Sequence, residues 1–337
     1  YKFKKYSNIS DNAAYYIDTV IDDNEDIIIA YKDFAHKNRL SAKKISNNLI
    51  DYLGKPAFSD LDCLYNKIII KNGNIPIVAY SDFSVNNRLT VNMFINNNWN
   101  KVGEKGISDF QAENIDIVCD KNGNIIVVYS EKNSFVLKTF ISNQWITLYK
   151  HSCNYGTFES VTDSIKLVID KNNNPIIIYP DPDNNFRLTI VSNILTNPKE
   201  VFLSEKSSRK PSVAIDPFDN IYVLTTEIDE NIDSKTVIYK IFNDKIIKTI
   251  NFKVCFEEYS LSIAKENRIL VAYQNPEKNN TLSIISFCND KYEFKKDYLS
   301  RDFITSIKSD SKNNKFVISF QDYFYNDKAG CIVIEFK

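Results

Sequence analysis

Seven segments of this sequence carry a polar side chain two residues after an apolar run ends, and six of the seven are acidic. In three segments an arginine follows the acid after six residues, and in two a phenylalanine follows it directly. Carboxylates hydrogen-bond sugar hydroxyls, guanidinium groups bind carboxylates, and aromatic faces pack on the apolar side of a sugar ring. The pattern therefore predicts glycan-binding loops. The candidate ligand-binding residues are Asp33, Phe34, Arg39, Asp82, Phe83, Arg88, Asp181 and Arg187.

The same pattern has a structural explanation, which its repetition favours. An acid at a strand end can cap the following turn and pair with the arginine across its hairpin, contributing about 0–1 kcal/mol at a surface. A ring of carboxylates could also hold Ca²⁺, which prefers oxygen ligands, but these loop positions do not make a continuous cage. We predict no metal and no cofactor. We also predict no catalytic residue, because near-equivalent acids offer no distinct carboxylate pair for glycoside hydrolysis.

The last of these loops contains three consecutive aromatic residues, Tyr323, Phe324 and Tyr325. Exposed aromatic side chains in a row can anchor a protein partner. They can equally fill the junction between the last repeat and the first. Both interpretations remain open from the sequence.

A repeat positions these loops. The residues that end the apolar runs are spaced 46 to 50 residues apart along the chain. Seven units of nearly constant length indicate a repeat architecture. The anchor residues are Tyr31, Tyr80, Tyr129, Tyr179, Thr225, Tyr273 and Phe320.

Each unit contains four short apolar segments that are typical of β-strands. In the third unit these are I-D-I-V-C-D, I-I-V-V-Y-S, V-L-K-T-F-I and Q-W-I-T-L-Y, and the turn K-N-G-N separates the first two. Val, Ile, Tyr, Phe and Thr dominate the segments, and Asn-Gly readily adopts the positive φ of a tight turn. Four-stranded units of about 40–50 residues are the signature of a β-propeller. The fold prediction is all-β, a single seven-bladed propeller over residues 1–337.

The ends of the chain predict how the ring closes. After Phe320 one further strand follows, G-C-I-V-I-E-F-K, so the seventh unit lacks its fourth strand. The N-terminal stretch Y-K-F-K-K-Y-S-N-I-S is similar to the fourth-strand stretch N-W-N-K-V-G-E-K-G-I-S of the second unit. We expect the N-terminal strand to join the last blade, which removes two exposed sheet edges.

These units resemble bacterial β-propeller repeats of the form D-x-N-G-N-P, apolar run, Y-x-D, L-T-V and W-x-x-V-G-x-x-G-x-S. The second unit carries the pattern most fully, as N-G-N-I-P-I-V-A-Y-S-D, R-L-T-V and W-N-K-V-G-E-K-G-I-S. The resemblance implies a propeller that serves as a binding or scaffold module. Sialidase-type propellers carry S-x-D-x-G-x-x-W, whereas the corresponding turns here read I-N-N-N-W and I-S-N-Q-W.

Composition excludes several functional classes. The net charge is −1 and no Lys/Arg block stands out, which argues against nucleic acid as a partner. No window has the roughly 18 apolar residues of a membrane span. Six cysteines without metal-site spacing are compatible with a reducing compartment, and two histidines offer little for a zinc site. The abundance of Asn, Ile, Lys and Tyr points to an AT-rich genome.

The sequence thus predicts a non-catalytic binding module whose leading ligand class is a glycan. A protein–protein scaffold using the same loops is the alternative. A carbohydrate-active enzyme with divergent motifs is the third possibility. The sequence defines neither the compartment nor the oligomeric state.

Overall fold

The computed structural model describes residues 1–153, 164–231 and 233–336. Within these ranges the regular structure consists of β-strands and short 3₁₀ turns, so the all-β prediction is confirmed. The strands in chain order are β1 Lys2–Tyr6, β2 Ala14–Ile21, β3 Ile27–Asp33, β4 Arg39–Ser46, β5 Leu49–Tyr52, β6 Cys63–Lys71, β7 Ile75–Asp82, β8 Arg88–Ile95, β9 Asn98–Lys101, β10 Glu113–Cys119, β11 Ile125–Glu131, β12 Ser134–Ile141, β13 Gln144–Ser152, β14 Lys166–Ile169, β15 Pro175–Asp181, β16 Arg187–Ser192, β17 Lys199–Ile215, β18 Ile221–Ile228, β19 Ser234–Phe242, β20 Lys245–Asn251, β21 Tyr259–Ala264, β22 Arg268–Asn275, β23 Thr281–Cys288, β24 Lys291–Lys296, β25 Ile304–Lys312, β26 Lys315–Asp322 and β27 Lys328–Glu335.

Contacts between residues divide the chain into two compact units. The first comprises Tyr1–Asn87, Val91–Lys101 and Phe256–Lys337, and the second comprises Arg88–Thr90 and Val102–Cys255. The strands β2–β5, β6–β9 and β21–β24 each form a four-stranded antiparallel sheet in which neighbours along the chain are neighbours in the sheet. These sheets belong to the first unit, apart from the first three residues of β8.

The N-terminal strand completes the last sheet of the first unit. Strand β1 pairs antiparallel with β27, from Lys2 opposite Glu335 to Tyr6 opposite Cys331. The order of this sheet is β1-β27-β26-β25, so the first strand of the chain lies beside the last. The predicted pairing of the two ends is therefore present.

The second unit differs from the expected pattern of separate four-stranded groups. Strands β10–β13 form one such sheet, but β14–β20 form a single sheet of seven strands. The cause is β17, which is 17 residues long. Its first part pairs with β16 between Lys199 and Phe202 and again at Ser207, and its second part pairs with β18 from Ser207 onward. One continuous strand thus joins two repeats.

The second strand of each repeat forms the core. The anchor tyrosines Tyr31, Tyr80, Tyr129, Tyr179 and Tyr273 are buried, as are Thr225 and Phe320. Both faces of these strands are covered, because successive side chains point to opposite faces and β3, for example, is buried at six of its seven positions. Burial of each large apolar side chain contributes roughly 1.5–3 kcal/mol.

Asparagine takes the place of glycine in many of the turns. The hairpin that joins β4 to β5 has Asn47 and Asn48 at φ 48° and 69°, and the one that joins β8 to β9 has Asn96 and Asn97 at φ 53° and 61°. Two consecutive positive φ angles match the right-handed twist of the flanking strands, and Asn tolerates them better than other residues with a side chain. A chain with only 7 glycines can therefore still build tight hairpins.

Candidate functional site

The predicted acids lie at the ends of second strands and cap the turns that follow. In five repeats the side chain accepts a hydrogen bond from the backbone N–H two residues later, and a short 3₁₀ turn begins there. The oxygen-to-nitrogen distances range from 2.9 to 3.2 Å. These side chains are at most 4% exposed. The capping residues are Asp33, Asp82, Asp181, Asn275 and Asp322.

The two glutamates at this position bond differently. Glu131 accepts from the backbone N–H groups of Asp109 and Phe110, at 2.8 and 3.1 Å. Glu227 accepts from the hydroxyl of Tyr239 and lies 3.4 Å from Lys235. Since all the acids are buried and engaged, they shape the loops and do not offer carboxylates to solvent.

The turns present aromatic side chains instead. Phe34 and Phe83 occupy the first position of their 3₁₀ turns and are 53% and 57% exposed. In the last repeat Tyr323 and Phe324 are about half exposed, while Tyr325 is half-buried with its ring centroid 4.9 Å from that of Phe324. Exposed rings on short capped turns lose little conformational freedom when a ligand binds.

The arginines do not pair with the acids across their hairpins in two of the three loops. Arg39 lies opposite Asp33 in the β3–β4 register, yet its Nε donates to the carbonyl oxygen of Ser59 at 2.7 Å. Arg187 lies opposite Asp181 and donates from Nε to the carbonyl oxygen of Ser204 at 2.8 Å. The structural explanation drawn from the sequence is therefore right about capping and wrong about these two ion pairs.

The remaining arginine, Arg88, lies over a glycine of the second repeat. A Cβ added at Gly106 would come within 3.0 Å of the Arg88 guanidinium. Gly106 has φ +64° and belongs to the W-x-x-V-G-x-x-G-x-S pattern. The glycine leaves room for the guanidinium in that repeat.

A serine that sequence reasoning did not single out joins each loop to its sheet. In five repeats a buried serine Oγ accepts from a backbone N–H near the start of the third strand and donates to the carbonyl oxygen two residues further on. It is the final residue of the W-x-x-V-G-x-x-G-x-S pattern, so its fixed position was a usable signal. These residues are Ser10, Ser59, Ser108, Ser204 and Ser300.

The first repeat adds a polar cluster beside its loop. His36 Nδ1 lies 2.8 Å from Asp33 Oδ2, and because a carboxylate only accepts, Nδ1 carries the proton. Asp11 accepts from Lys43 at 2.6 Å and from Tyr52 at 2.8 Å. The hydrogen bond from Lys43 lowers the pKa of Asp11, while burial raises the pKa of Tyr52.

A second histidine cluster lies in the other unit. Glu200 Oε1 is 3.0 Å from both His151 Nδ1 and the hydroxyl of Tyr149. The His151 ring stacks on Phe135 with centroids 5.0 Å apart. Burial, with a further contribution from Glu200, raises the pKa of Tyr149. Both histidines thus have Nδ1 on a carboxylate, and within the described ranges neither Nε2 has a hydrogen-bond partner.

Carboxylates on the first strands tie neighbouring sheets together. In the first unit Asp18 accepts from Ile68 N at 2.9 Å, and Asp310 accepts from Ile21 N at 2.8 Å. In the second unit Asp116 accepts from Leu167 N at 2.8 Å. Loss of hydration raises the pKa of Asp310 to about 6, despite hydrogen bonds that favour its ionised form.

A polar cavity of about 410 Å³ lies at the turn end of the strands in the first unit, away from the capped loops. The Lys315 ammonium lies 3.1 Å from Glu25 and 4.0 Å from Glu335 along its wall. The hydrogen bond from Lys315 lowers the pKa of Glu25. These charged groups are thus already paired within the protein.

In the part of the chain that the structure describes, no three His, Cys, Asp or Glu side chains are grouped so that they could hold a metal ion. No helix among the same residues is long and apolar enough to cross a membrane.

Known structures share this fold, although sequence comparison identifies no relative. Neither a protein-family model nor a curated protein matches the chain. A PL25 ulvan lyase bound to -[GlcA(1-4)Rha3S]- is similar with a TM-score of 0.62 and 10% identity, over 97% of this chain and 95% of that one. A mutant of the Aleuria aurantia lectin AAL in complex with Fucα1-6GlcNAc has a TM-score of 0.53 and 12% identity, over 83% of this chain and 94% of that one. AofleA from Arthrobotrys oligospora has a TM-score of 0.53 and 9% identity, over 88% of this chain and 89% of that one. At these identities the shared property is the β-propeller-like fold.

Proposed function

We propose that this chain is a non-catalytic, lectin-like carbohydrate-binding module, built as a single seven-bladed β-propeller. Seven blades are supported by strand pairing, because counting the two parts of β17 separately gives seven groups of four strands. The pairing of β1 with β27 supports closure of the ring by the N-terminal strand. Seven evenly spaced anchors agree with this architecture.

The observation that carries the carbohydrate-binding proposal is the exposure of Phe34 and Phe83 on equivalent capped turns. A flat aromatic face held by a rigid turn is suited to the apolar side of a sugar ring. Asn and Arg residues follow it in the same loops and supply polar groups for orientation. Repetition of the loop provides several weak sites, which together bind a multivalent glycan by avidity.

The similar structures add support from their fold. The Aleuria aurantia lectin holds Fucα1-6GlcNAc, and the PL25 lyase holds a GlcA-Rha3S unit. Both carry carbohydrate on a fold of this kind. The proposal for this chain nevertheless depends on its own aromatic loops.

A glycan array tests the proposal with a matched pair of variants. Replacing Phe34 and Phe83 together by Ala should weaken binding about tenfold or more, since truncation of an aromatic anchor costs on the order of 1–2 kcal/mol. Phe218→Ala is the control, because Phe218 is 65% exposed on a turn at the other end of the strands, between β17 and β18. Wild-type binding to no glycan, or equal loss in both variants, would reject the proposal.

A protein scaffold is the second candidate, and the last repeat favours it. Tyr323 and Phe324 are exposed side by side, and the Arg301 guanidinium lies 5.0 Å from the Phe324 ring centroid. Arginine and aromatic side chains are enriched at protein interfaces. Replacing Tyr323 and Phe324 by Ser should abolish capture of a partner and leave glycan binding unchanged. The opposite result would assign the aromatic pair to the glycan surface.

A carbohydrate-active enzyme is the third candidate, and the histidine clusters favour it. A carboxylate on Nδ1 orients the imidazole and leaves Nε2 to accept a proton, which is the arrangement of a general base. His36→Ala and His151→Ala provide the test. Release of new chain ends from a polysaccharide by the wild type, abolished in one variant, would establish catalysis. No release by the wild type would leave the clusters a structural role.

A further inference from the structure

We propose that the glycan carries anionic groups, and that Arg39 and Arg187 bind its carboxylates or sulfates. This inference rests on the proposed function and names the ligand class of the same loops. It comes from the way the two guanidinium groups are held and from the absence, among the described residues, of a carboxylate paired with them.

Arg39 has an unused hydrogen-bonding edge. Its Nε is bound to the Ser59 carbonyl oxygen, and within the described residues neither Nη atom has a partner. The side chain is half-buried, so it lies against the loop with its terminal atoms reachable. A guanidinium anchored through Nε still offers the two Nη groups, whose N–H bonds fit the oxygens of one acidic group.

The neighbouring carboxylate of Asp33 is not paired with Arg39, although the two residues are opposite in the sheet. Both oxygens of Asp33 are engaged, one by Ala35 N at 3.0 Å and the other by His36 Nδ1 at 2.8 Å. Two lysines of the same repeat, by contrast, are paired with carboxylates. Lys43 lies 2.6 Å from Asp11, and Lys32 lies 2.7 Å from Asp62. Arg39 is thus left for an external anion, beside the exposed Lys37 of the same loop.

The fourth repeat reproduces the arrangement in the second unit. Arg187 is bound through Nε to Ser204, and the opposite acid, Asp181, accepts from Asp183 N at 3.0 Å and from Asn184 Nδ2 at 2.7 Å. The guanidinium carbon also lies 4.4 Å from the Phe202 ring centroid. Stacking on an aromatic ring fixes the guanidinium plane and leaves its edge open.

This geometry selects for charge. Sugar hydroxyls would accept from the Nη groups without an opposite charge, whereas a carboxylate or sulfate brings a negative charge and two oxygens that fit both Nη groups at once.

The test is an array that prints each acidic oligosaccharide beside its neutral form. The pairs are uronic acid chains with their methyl esters, sialylated glycans with asialo forms, and sulfated chains with desulfated ones. We expect binding of acidic members to exceed that of neutral members by about tenfold or more. The uronate and sialate pairs report on carboxylate, and the sulfate pairs report on sulfate. Equal binding to both members of every pair would overturn this inference and leave carbohydrate binding intact. Binding to no member would instead overturn the proposed function.

Two sets of variants test whether the two arginines cause the preference for acidic glycans. Arg39→Ala with Arg187→Ala should reduce binding to acidic members to the level of the neutral ones. Lys245→Ala also removes a positive charge, from an exposed position at the start of β20, and should keep the preference. Thermal unfolding checks that each variant folds. The salt dependence of wild-type binding needs no variant, and a preference for acidic members that does not fall between 50 mM and 500 mM NaCl would contradict charge recognition.

Discussion

At the scale of single residues, the repeated acid builds a turn. Asp33 is fully buried, and its two oxygens are shared between the turn and His36. Asn275 occupies the equivalent position of the sixth repeat and caps its turn through the same oxygen position. The requirement at this site is therefore an acceptor oxygen, not a negative charge.

This leads to a prediction for Asp33. Asp33→Ala removes the acceptor for Ala35 N, and loss of a cap of this kind costs about 1–2 kcal/mol of unfolding free energy. Asp33→Asn keeps an acceptor oxygen and should cost clearly less. Urea unfolding followed by fluorescence measures both. If the two variants unfold at the same urea concentration as the wild type, the cap contributes nothing to stability.

The positions of the loop residues could be predicted from the sequence. The spacing of Asp33, Phe34 and Arg39 placed all three on one loop, and the structure does so. The direction of each side chain could not be predicted, because it depends on which N–H groups the turn leaves unpaired. The direction of the Arg39 side chain could not be predicted either, because it bonds to a carbonyl oxygen twenty residues away in the sequence.

Asp310 gives a pH-dependent prediction. Its pKa in the folded protein is about 6, above the ordinary 3.8, so its contribution to stability is complete below about pH 4 and is lost as the pH rises through 6. A shift of this size corresponds to on the order of 3 kcal/mol. Asp310→Asn keeps an acceptor for Ile21 N and should raise the unfolding free energy at pH 8 towards that amount.

Measurement at low pH is the control for the Asp310→Asn variant. At pH 4 the carboxyl is protonated in the folded chain and partly protonated in the unfolded chain, so variant and wild type should unfold at much closer denaturant concentrations than at pH 8. Acids with lowered pKa values, such as Glu25 and Asp11, respond in the opposite direction, but they are common to both proteins. A variant that gains no stability between pH 4 and pH 8 relative to the wild type would show that Asp310 is not strained by burial.

At the scale of elements, the buried serine links the third strand to the chain that leaves the fourth. Ser59 accepts from Leu40 N at 2.8 Å and donates to the Leu61 carbonyl oxygen at 2.7 Å. Ser59→Ala leaves the buried Leu40 N–H without its acceptor, which should cost about 1–3 kcal/mol. Ser152→Ala at an exposed strand end is the control. The melting temperatures of the two variants measure the difference, and equal melting would show that the serine is dispensable.

Strand β17 runs without a break from the fourth repeat into the fifth, and the local sequence explains why. The segment between β16 and β18 contains S-E-K-S-S-R-K, which has no Gly, Asn or Asp to break the strand. The corresponding segment of the first repeat is S-D-L-D, and it interrupts the chain between β5 and β6. Apolar periodicity identified the repeats, but the continuation of β17 depends on turn residues that are absent.

At the scale of the whole molecule, the two ends of the chain meet in one sheet. Strand β1 pairs along all five of its residues with β27. Phe3 packs against the core of the last two repeats, and the Tyr1 ring stacks on Phe294 at 4.2 Å. Sequence similarity between the N-terminus and a fourth strand was sufficient to predict this pairing, because a repeat fold has only one vacant strand position to fill.

Deletion of residues 1–7 should therefore destabilise the protein as a whole. The loss of a five-residue strand at roughly 0.5–1.5 kcal/mol per net hydrogen bond, together with the Phe3 contact, amounts to several kcal/mol. It also exposes the edge of β27, which is a template for aggregation. Differential scanning calorimetry and light scattering should show a lower melting temperature and larger particles. A synthetic peptide of residues 1–7 should restore the melting temperature by strand addition, because the vacant edge is specific for that sequence. A truncated chain that melts like the wild type would mean that the first strand is an appendage, and the closed-ring architecture would lose its main support.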